Sequence, residues 1–330
     1  MTGQTCLKEQ NMSSTSNLFL MARGAPAVMS AAVPQIALEP GGVSLSAIVA
    51  GVWRMAEWRQ DVPARVRWIE QALELGITSF DHADIYGNYA VESLFGEALM
   101  VARGLRERLQ IVTKCGIKLV SDARPTHAIK SYDSSQAHVT ASVEASLRAL
   151  HTDRIDLLLI HRPDLLMDPD ELSATFDALQ RAGKVRAFGV SNHAPSQLTM
   201  LHRRHALVTH QIELSPLQLQ ALSDGTLDQC TDLGLRPMIW SPLGGGRLFT
   251  GQDPQTLRVR AVLEELGRKH GVSAATMAYA WILRHPARPL PITGSGRIDA
   301  LRDAVSALDM QLSAEDWYRV RQASTGHEVP

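Results

Sequence analysis

What limits the fold of this chain most is an alternation. From Gln35 onward, short apolar runs and amphipathic stretches take turns, with no linker or shift in composition between them. "SAIVAGVW" (46–53), "ITSFDHA" (77–83), "LQIVTKCGI" (109–117), "IDLLLIH" (155–161), "VRAFGVSN" (185–192), "ALVTHQIEL" (206–214), "RPMIWSPL" (236–243) and "RPLPITG" (288–294) read as strands. Helical periods follow at 62–76, 90–102, 136–150, 169–183, 194–205, around 224–234, at 257–271 and 273–285, and near 298–308 and 313–323. In the first of these, Val66, Ile69, Ala72 and Leu73 share a face and Asp61 stands where an N-cap belongs. The unbroken run Leu157–Ile160 suits a parallel strand buried on both faces. Eight strand–helix units in series predict an α/β fold, a (β/α)₈ TIM barrel over residues 36–330 with a C-terminal helix. Residues 1–35 have no clear period and are expected to form a poorly structured N-terminal extension. A doubly wound sheet is the competing arrangement, but no G-x-G-x-x-G follows the first strand.

In such a barrel chemistry sits where strands end, so the polar residues at those ends carry the functional reading. The second strand ends at Asp81, with Tyr86 just beyond; the third ends at Lys114; the fourth at His161; the fifth at Ser191 and Asn192. The sixth carries Gln211 and Glu213, the seventh Trp240 and Ser241, and the eighth reaches Thr293, Gly294 and Ser295. The densest segment is "DHADIYGNY" (81–89), with two aspartates, a histidine and two tyrosines. It can be read as a metal site, a proton-transfer site or a polar turn. Successive strand residues face opposite ways, so Asp81 and His82 are poorly placed to share one ion, and a lysine among the other strand-end residues is a poor metal ligand. A metal is therefore disfavoured, which leaves proton transfer and a polar turn. Tyr89 is expected to pack or to line a pocket.

Composition removes several other classes. The formal net charge is -1 and the pI about 6.9, so no strong positive field would gather nucleic acid or anionic lipid. Three scattered cysteines make neither a disulfide framework nor a CxxC site and fit a reducing cytoplasm. No apolar run approaches the ~20 residues that cross a bilayer. A small-molecule substrate is the expected partner, with no nucleic acid, membrane or obligate protein partner evident.

Residues 81–87 resemble the D-x-A-x-x-Y-G signature of the aldo/keto reductase superfamily. Lys114 in "IVTKCG", His161 in "LLLIHRPD", "GVSNH" and "QIELSP" match the family in order, from about residue 43 to the C-terminus. "DHADIYG" and "PLPITGSG" bring the chain nearest a bacterial branch of uncharacterised oxidoreductases. The resemblance implies reduction of a carbonyl substrate, an aldehyde or ketone, by NADPH, with NADH possible, through a catalytic tetrad of Asp81, Tyr86, Lys114 and His161. The chemistry has its own logic. Hydride arriving at a carbonyl carbon leaves an alkoxide that needs a proton. A free phenol, with a pKa of about 10, is a weak acid for this purpose. A lysine ammonium beside Tyr86 should lower that value, a carboxylate should hold the lysine, and a histidine can orient the substrate oxygen. A nicotinamide-binding regulatory subunit on the same barrel is the alternative; a non-redox barrel enzyme is a third.

The resemblance also implies a cofactor cradle. Ser191, Asn192 and Gln211 would meet the carboxamide, and Trp240 would stack where many relatives have tyrosine. Ser241, Pro242, Leu243 and Gly244, within "SPLGGGRLF" (241–249), would cover the pyrophosphate, with glycines permitting close backbone approach. Gly294, Ser295 and Arg297 would hold the 2′-phosphate. Gly51, Val52 and Trp53 would line the cofactor and pocket. Ala300 and Ala304 depart from the arginine and adenine-binding asparagine common in relatives, and Arg302 can reach the adenosine or lie on a solvated helix face. The long loop 116–135 is expected either to shape the pocket or to be a poorly ordered insertion. His202 and His205 are expected on a solvated face, and Cys115 in packing.

Overall fold

The computed structural model describes residues 33–329. Eight parallel strands close into a barrel in sequential order, the last pairing with the first. They are β1 (Val49–Gly51), β2 (Ser79–Asp81), β3 (Gln110–Cys115), β4 (Ile155–Ile160), β5 (Val185–Ser191), β6 (His210–Glu213), β7 (Met238–Trp240) and β8 (Leu290–Thr293). All lie inside the segments expected from the sequence, and most are shorter, because pairing stops where each chain turns toward its helix. The outer ring is α1 (Val62–Glu74), α2 (Val91–Val101), α3 (Gln136–Ala149), α4 (Pro169–Arg181), α5 (Pro195–His202), α6 (Thr226–Asp232), α7 (Pro254–His270), α8 (Ala274–Leu283) and α9 (Ile298–Ser306), and α10 (Ala314–Thr325) ends the fold.

Local chemistry fixes these boundaries. Asp61 accepts from the Ala64 amide and starts α1, with proline in the first turn. Ser135, Asp168, Asp253, Ser273 and Ser313 cap α3, α4, α7, α8 and α10 in the same way. The Asp253–Pro254 pair starts α7 three residues before the expected 257, at a cap the periodic pattern alone does not show. The buried face of α1 is Arg65, Trp68, Ile69 and Ala72; Val66 and Leu73 flank it half-buried.

Period-2 alternation divides the strands between two cores. Leu157 and Leu159 of β4 point into the barrel with Val112, Ala187, Met238 and Leu290. Leu158 and Ile160 point outward against α3, α4 and α5. A hairpin, Gln35–Ala37 paired with Ser44–Ser46, precedes the barrel; Leu38, Val43 and Leu45 join the interior cluster and stopper its N-terminal end. The expected extension reaches residue 35, yet Val33 is buried in the core and Pro34 accepts from the Ala47 amide, so residues 33–34 pack onto the barrel and Gln35 begins the hairpin. The expectation for 1–32 lies outside the described residues. The loop 116–135 is an ordered insertion: Ile117–Lys118 pairs with Ser131–Tyr132, and the Tyr89 hydroxyl accepts from the Leu119 amide at 3.0 Å. His205 corrects another expectation. Its side chain is 11% exposed, paired with Asp177 and edge-on to Phe176 and Phe188, because the helix end folds back over the strand.

Candidate active site

The ends of β2, β3 and β4 converge on one point inside the barrel mouth. Asp81 is the last residue of β2, and Lys114, on neighbouring β3, is fully buried. The Lys114 ammonium lies 2.8 Å from each Asp81 carboxylate oxygen, 2.6 Å from the His82 carbonyl and 3.0 Å from the Tyr86 hydroxyl. Tyr86 hangs in the turn after β2, whose backbone closes through its amide to Ala83 and its carbonyl to Ala90 and Val91. His161 follows β4 and presents its ring edge-on to Tyr86, centroids 6.0 Å apart. The four residues that the sequence singled out are therefore one contact cluster. His82 points the other way, edge-on to Phe95 of α2, so it shares no ligand position with Asp81. Cys115 likewise faces outward into the helix layer.

The electrostatics follow from burial. Desolvation alone would depress Lys114, but the Asp81 carboxylate and then the Tyr86 oxygen outweigh it and hold the ammonium above its ordinary range. His161 is pushed well below the ordinary value by burial, then by Lys114, Arg162 and Lys130, so its imidazole is neutral. Tyr86 corrects the sequence reading. Lys114 does pull the phenol down, but burial pushes it up more strongly, and the net shift is above 10.0. The phenol is thus a protonated donor at neutral pH, held against the one cation that would stabilise its anion.

Beside this cluster the strand ends of β5, β6 and β7 form a second one, and a single side chain joins the two. Gln211 donates to Asp81 Oδ1 at 2.7 Å. The Gln211 carbonyl also accepts from the Asn192 amide at 3.0 Å. Asn192, at φ 58°, donates to Ser191 Oγ at 2.7 Å and accepts from the Trp240 indole at 3.0 Å. Neither Ser191 nor Asn192 caps α5, whose N-cap is Ala194. The Arg162 guanidinium lies 5.7 Å from the centre of the Trp240 ring. Spacing along the chain does not reveal the contacts from Gln211 to Asp81 and from Arg162 to Trp240, which join residues far apart in sequence.

The remaining candidates stand apart from the tetrad. Gly51 and Gly294 lie where β1 and β8 meet, and a Cβ at Gly51 would approach Ile292 to 2.8 Å, so the pairing demands glycine. Val52 turns its side chain into the core, leaving its backbone toward β2. Trp53 is 54% exposed and so belongs to the rim, not the core. After β7, Ser241 has φ 51° and its carbonyl accepts from Gly244 at 2.8 Å; Pro242 is buried and the half-buried Leu243 packs against two clusters of the outer layer. Gly244, Gly245 and Gly246 follow at φ 61°, 67° and 97°, a run open to glycine and strained for other residues. The Gly245 carbonyl accepts from Arg54 at 3.1 Å, bridging the loops after β7 and β1. Arg297 is exposed at the start of α9, with its amide on Ser295 Oγ. Arg302 pairs with Asp299 on the solvent side, and Ala304 is fully buried, facing the core where relatives' asparagine would face adenine.

Comparisons with known proteins find relatives of this chain. A family model described as the aldo/keto reductase family matches residues 47–325. The chain is 47% identical to the oxidoreductase YdhF of Escherichia coli over 302 residues, 90% of this chain and 100% of that one. It is 42% identical to a 6-dehydroglucose reductase of Agrobacterium fabrum over 290 residues, 87% of this chain and 97% of the relative. A glycerol dehydrogenase structure from Gluconobacter oxydans superposes with a TM-score of 0.78 at 24% identity, covering 89% of this chain and 95% of that one, and shares the fold. Among the described residues no helix is long and apolar enough to cross a membrane.

Proposed function

Because this chain belongs to the aldo/keto reductase family, we propose that it is an NADPH-dependent oxidoreductase that reduces an aldehyde or ketone to an alcohol, with Tyr86 as the general acid. The observation that carries this reading is the Lys114 ammonium held between the Asp81 carboxylate and the Tyr86 hydroxyl. A reduced nicotinamide supplies the hydride when bound. The chain's own residues do the rest. Tyr86 Oη donates its proton to the oxygen that becomes alkoxide, and Lys114 stabilises the phenolate left behind. Asp81 keeps Lys114 charged and aimed. Neutral His161 donates a hydrogen bond that orients the carbonyl oxygen without competing as a cation. Proton donation of this kind contributes roughly 10²–10⁴-fold.

The residues around the tetrad suit the cofactor. Asn192 and Ser191 supply donors and acceptors of amide type, and the Trp240 ring offers an aromatic face beside them. At Gly245 and Gly246 an added Cβ would meet nothing within 4 Å, so the backbone there is open to a pyrophosphate. Exposed Arg297 supports the phosphorylated cofactor, since a guanidinium matches phosphate oxygens in pairs. The nearby 6-dehydroglucose reductases make an oxidised sugar the first substrate to try.

The test is NADPH consumption against simple aldehydes, ketones, dicarbonyls and oxidised sugars, with Tyr86→Phe in parallel. The variant should bind NADPH normally and turn over at least ~100-fold more slowly. Equal turnover by both proteins would remove Tyr86 from its role. NADPH binding without any turnover across the panel would favour a regulatory subunit.

A further inference from the structure

The tetrad uses only the inward face of the strand ends. On the outward face of the same strands lies a second polar layer that the chemistry above leaves unused. Thr113 precedes Lys114, and strand alternation sends its side chain the opposite way, toward α2. There its hydroxyl donates to Glu92 Oε1 at 2.6 Å. Thr113 is fully buried and Glu92 is 5% exposed. A carboxyl in the helix layer of a barrel is costly without a reason, because desolvation penalises the charge. Burial pushes Glu92 above the ordinary carboxylate value, against the opposing pull of its hydrogen bond to Thr113. Asp84 reinforces the same spot from the turn after β2: its amide donates to the Lys114 carbonyl at 3.0 Å. The backbone on both sides of the Lys114 Cα is therefore tied down by groups outside the tetrad.

We propose that Glu92 is a positioning residue for carbonyl reduction: by clamping Thr113 it fixes the stretch of β3 that aims the Lys114 ammonium at the Tyr86 hydroxyl. The proposal rests on the reading of Tyr86 as acid and Lys114 as its partner. The physical link is short. The lysine stem leaves a backbone whose neighbouring residue is held to α2, and the ammonium must sit near 3.0 Å from the phenol. Loss of the clamp lets β3 relax by a fraction of an ångström, and misplacements of about 1 Å can cost ~10²-fold. Glu92 touches neither substrate nor cofactor in this scheme; it acts through Thr113.

The experiment uses the full chain, NADPH and 4-nitrobenzaldehyde as the probe, with NADPH binding followed separately by fluorescence quenching. Glu92→Leu and Thr113→Val should each lower kcat about 10-fold, leaving KM and the NADPH Kd within about 2-fold. The double variant should be no worse than Glu92→Leu, which already removes the bond to Thr113. Glu92→Gln keeps the acceptor for Thr113 and should restore kcat to within about 2-fold. If Glu92→Leu does not fold, Thr113→Val, of nearly the same shape, carries the test. Wild-type kcat in folded Thr113→Val, failure of Gln to rescue, or losses spread equally over kcat and NADPH binding would each overturn the proposal. An inactive Tyr86→Phe beside a fully active Thr113→Val would sink this inference alone. A fully active Tyr86→Phe would sink the reading beneath it.

Discussion

The two halves of the barrel mouth are built on opposite plans. On the side of β2, β3 and β4, the tetrad is buried and its charges already partnered: Lys114 is fully enclosed and Asp81 is 3% exposed. On the side of β7, β8 and β1, the candidate groups are glycine backbone, the exposed Arg297 and the rim residue Trp53. The first half is held by contacts within the chain. The second offers an open surface that a ligand would complete. The contrast follows from the work proposed for each half. Proton transfer requires fixed distances in a dry site, where charge interactions are strong. Holding a long cofactor requires reach and the ability to let go. Gln211, on β6, ties the first half to the strand ends next to it: its side-chain amide donates to Asp81 and its backbone carbonyl accepts from the Asn192 amide.

If the first half is preassembled as described, removing its cation should be the most damaging change in the molecule. Lys114→Met leaves the Asp81 carboxylate buried without a counter-charge. It should cost about 3–5 kcal/mol of stability and abolish turnover. Denaturant unfolding checks this; an unchanged midpoint would mean that the pair is not enclosed.

The next effect is that of pH on stability, and it comes from histidines buried at the ends of β2, β5 and β6. His82, His193 and His210 lie behind the tetrad and the Asn192 turn. Burial pushes them down to about 3, about 4 and about 3, with Lys114 adding to the effect on His82 and His193 to that on His210. Each is neutral when folded and gains a proton on unfolding. Stability is therefore complete above the ordinary value of 6.5 and falls as pH drops toward those lower values. The three together should contribute a loss of up to about 4 kcal/mol per pH unit below that point. Urea midpoints at pH 7 and pH 5 measure it, and a flat response would show that these rings are solvated.

Smaller effects should mark the open half. Arg297→Ala should weaken NADPH by about 10-fold, a single charge-assisted contact, while sparing NADH and leaving the melting temperature alone. Equal losses for both cofactors would move the 2′-phosphate elsewhere. Arg54→Ala removes the bridge to the Gly245 carbonyl and should speed NADPH release about 3-fold in stopped flow, without a change in unfolding. A stability loss there as large as that for Lys114→Met would erase the distinction between the halves.

The legibility of the sequence follows the same division. Asp81 and Lys114 stand at strand ends, His161 follows one and Tyr86 lies in the turn beyond another; it is the family resemblance that groups the four as a tetrad. Asp61, Ser135 and Asp168 announce their helices through local capping chemistry. Less of the rest was readable. Val52 matches a family position and Ala304 departs from one, yet both side chains lie in the core, a matter of helix and strand orientation that spacing does not reveal. The net upward shift of Tyr86 depends on how much protein surrounds the phenol. Thr113 and Glu92 look like unremarkable residues until β3 and α2 are packed together.

Taken alone, the chain's sequence determined the order and type of its elements, and with them the ring of polar groups at one mouth, because hydrophobic period and capping are local properties of the backbone. Only the tertiary structure decided which groups touch and how strongly each is perturbed. Contacts such as Gln211 to Asp81 join residues far apart along the chain, and the cost of burying a charge depends on everything that surrounds it.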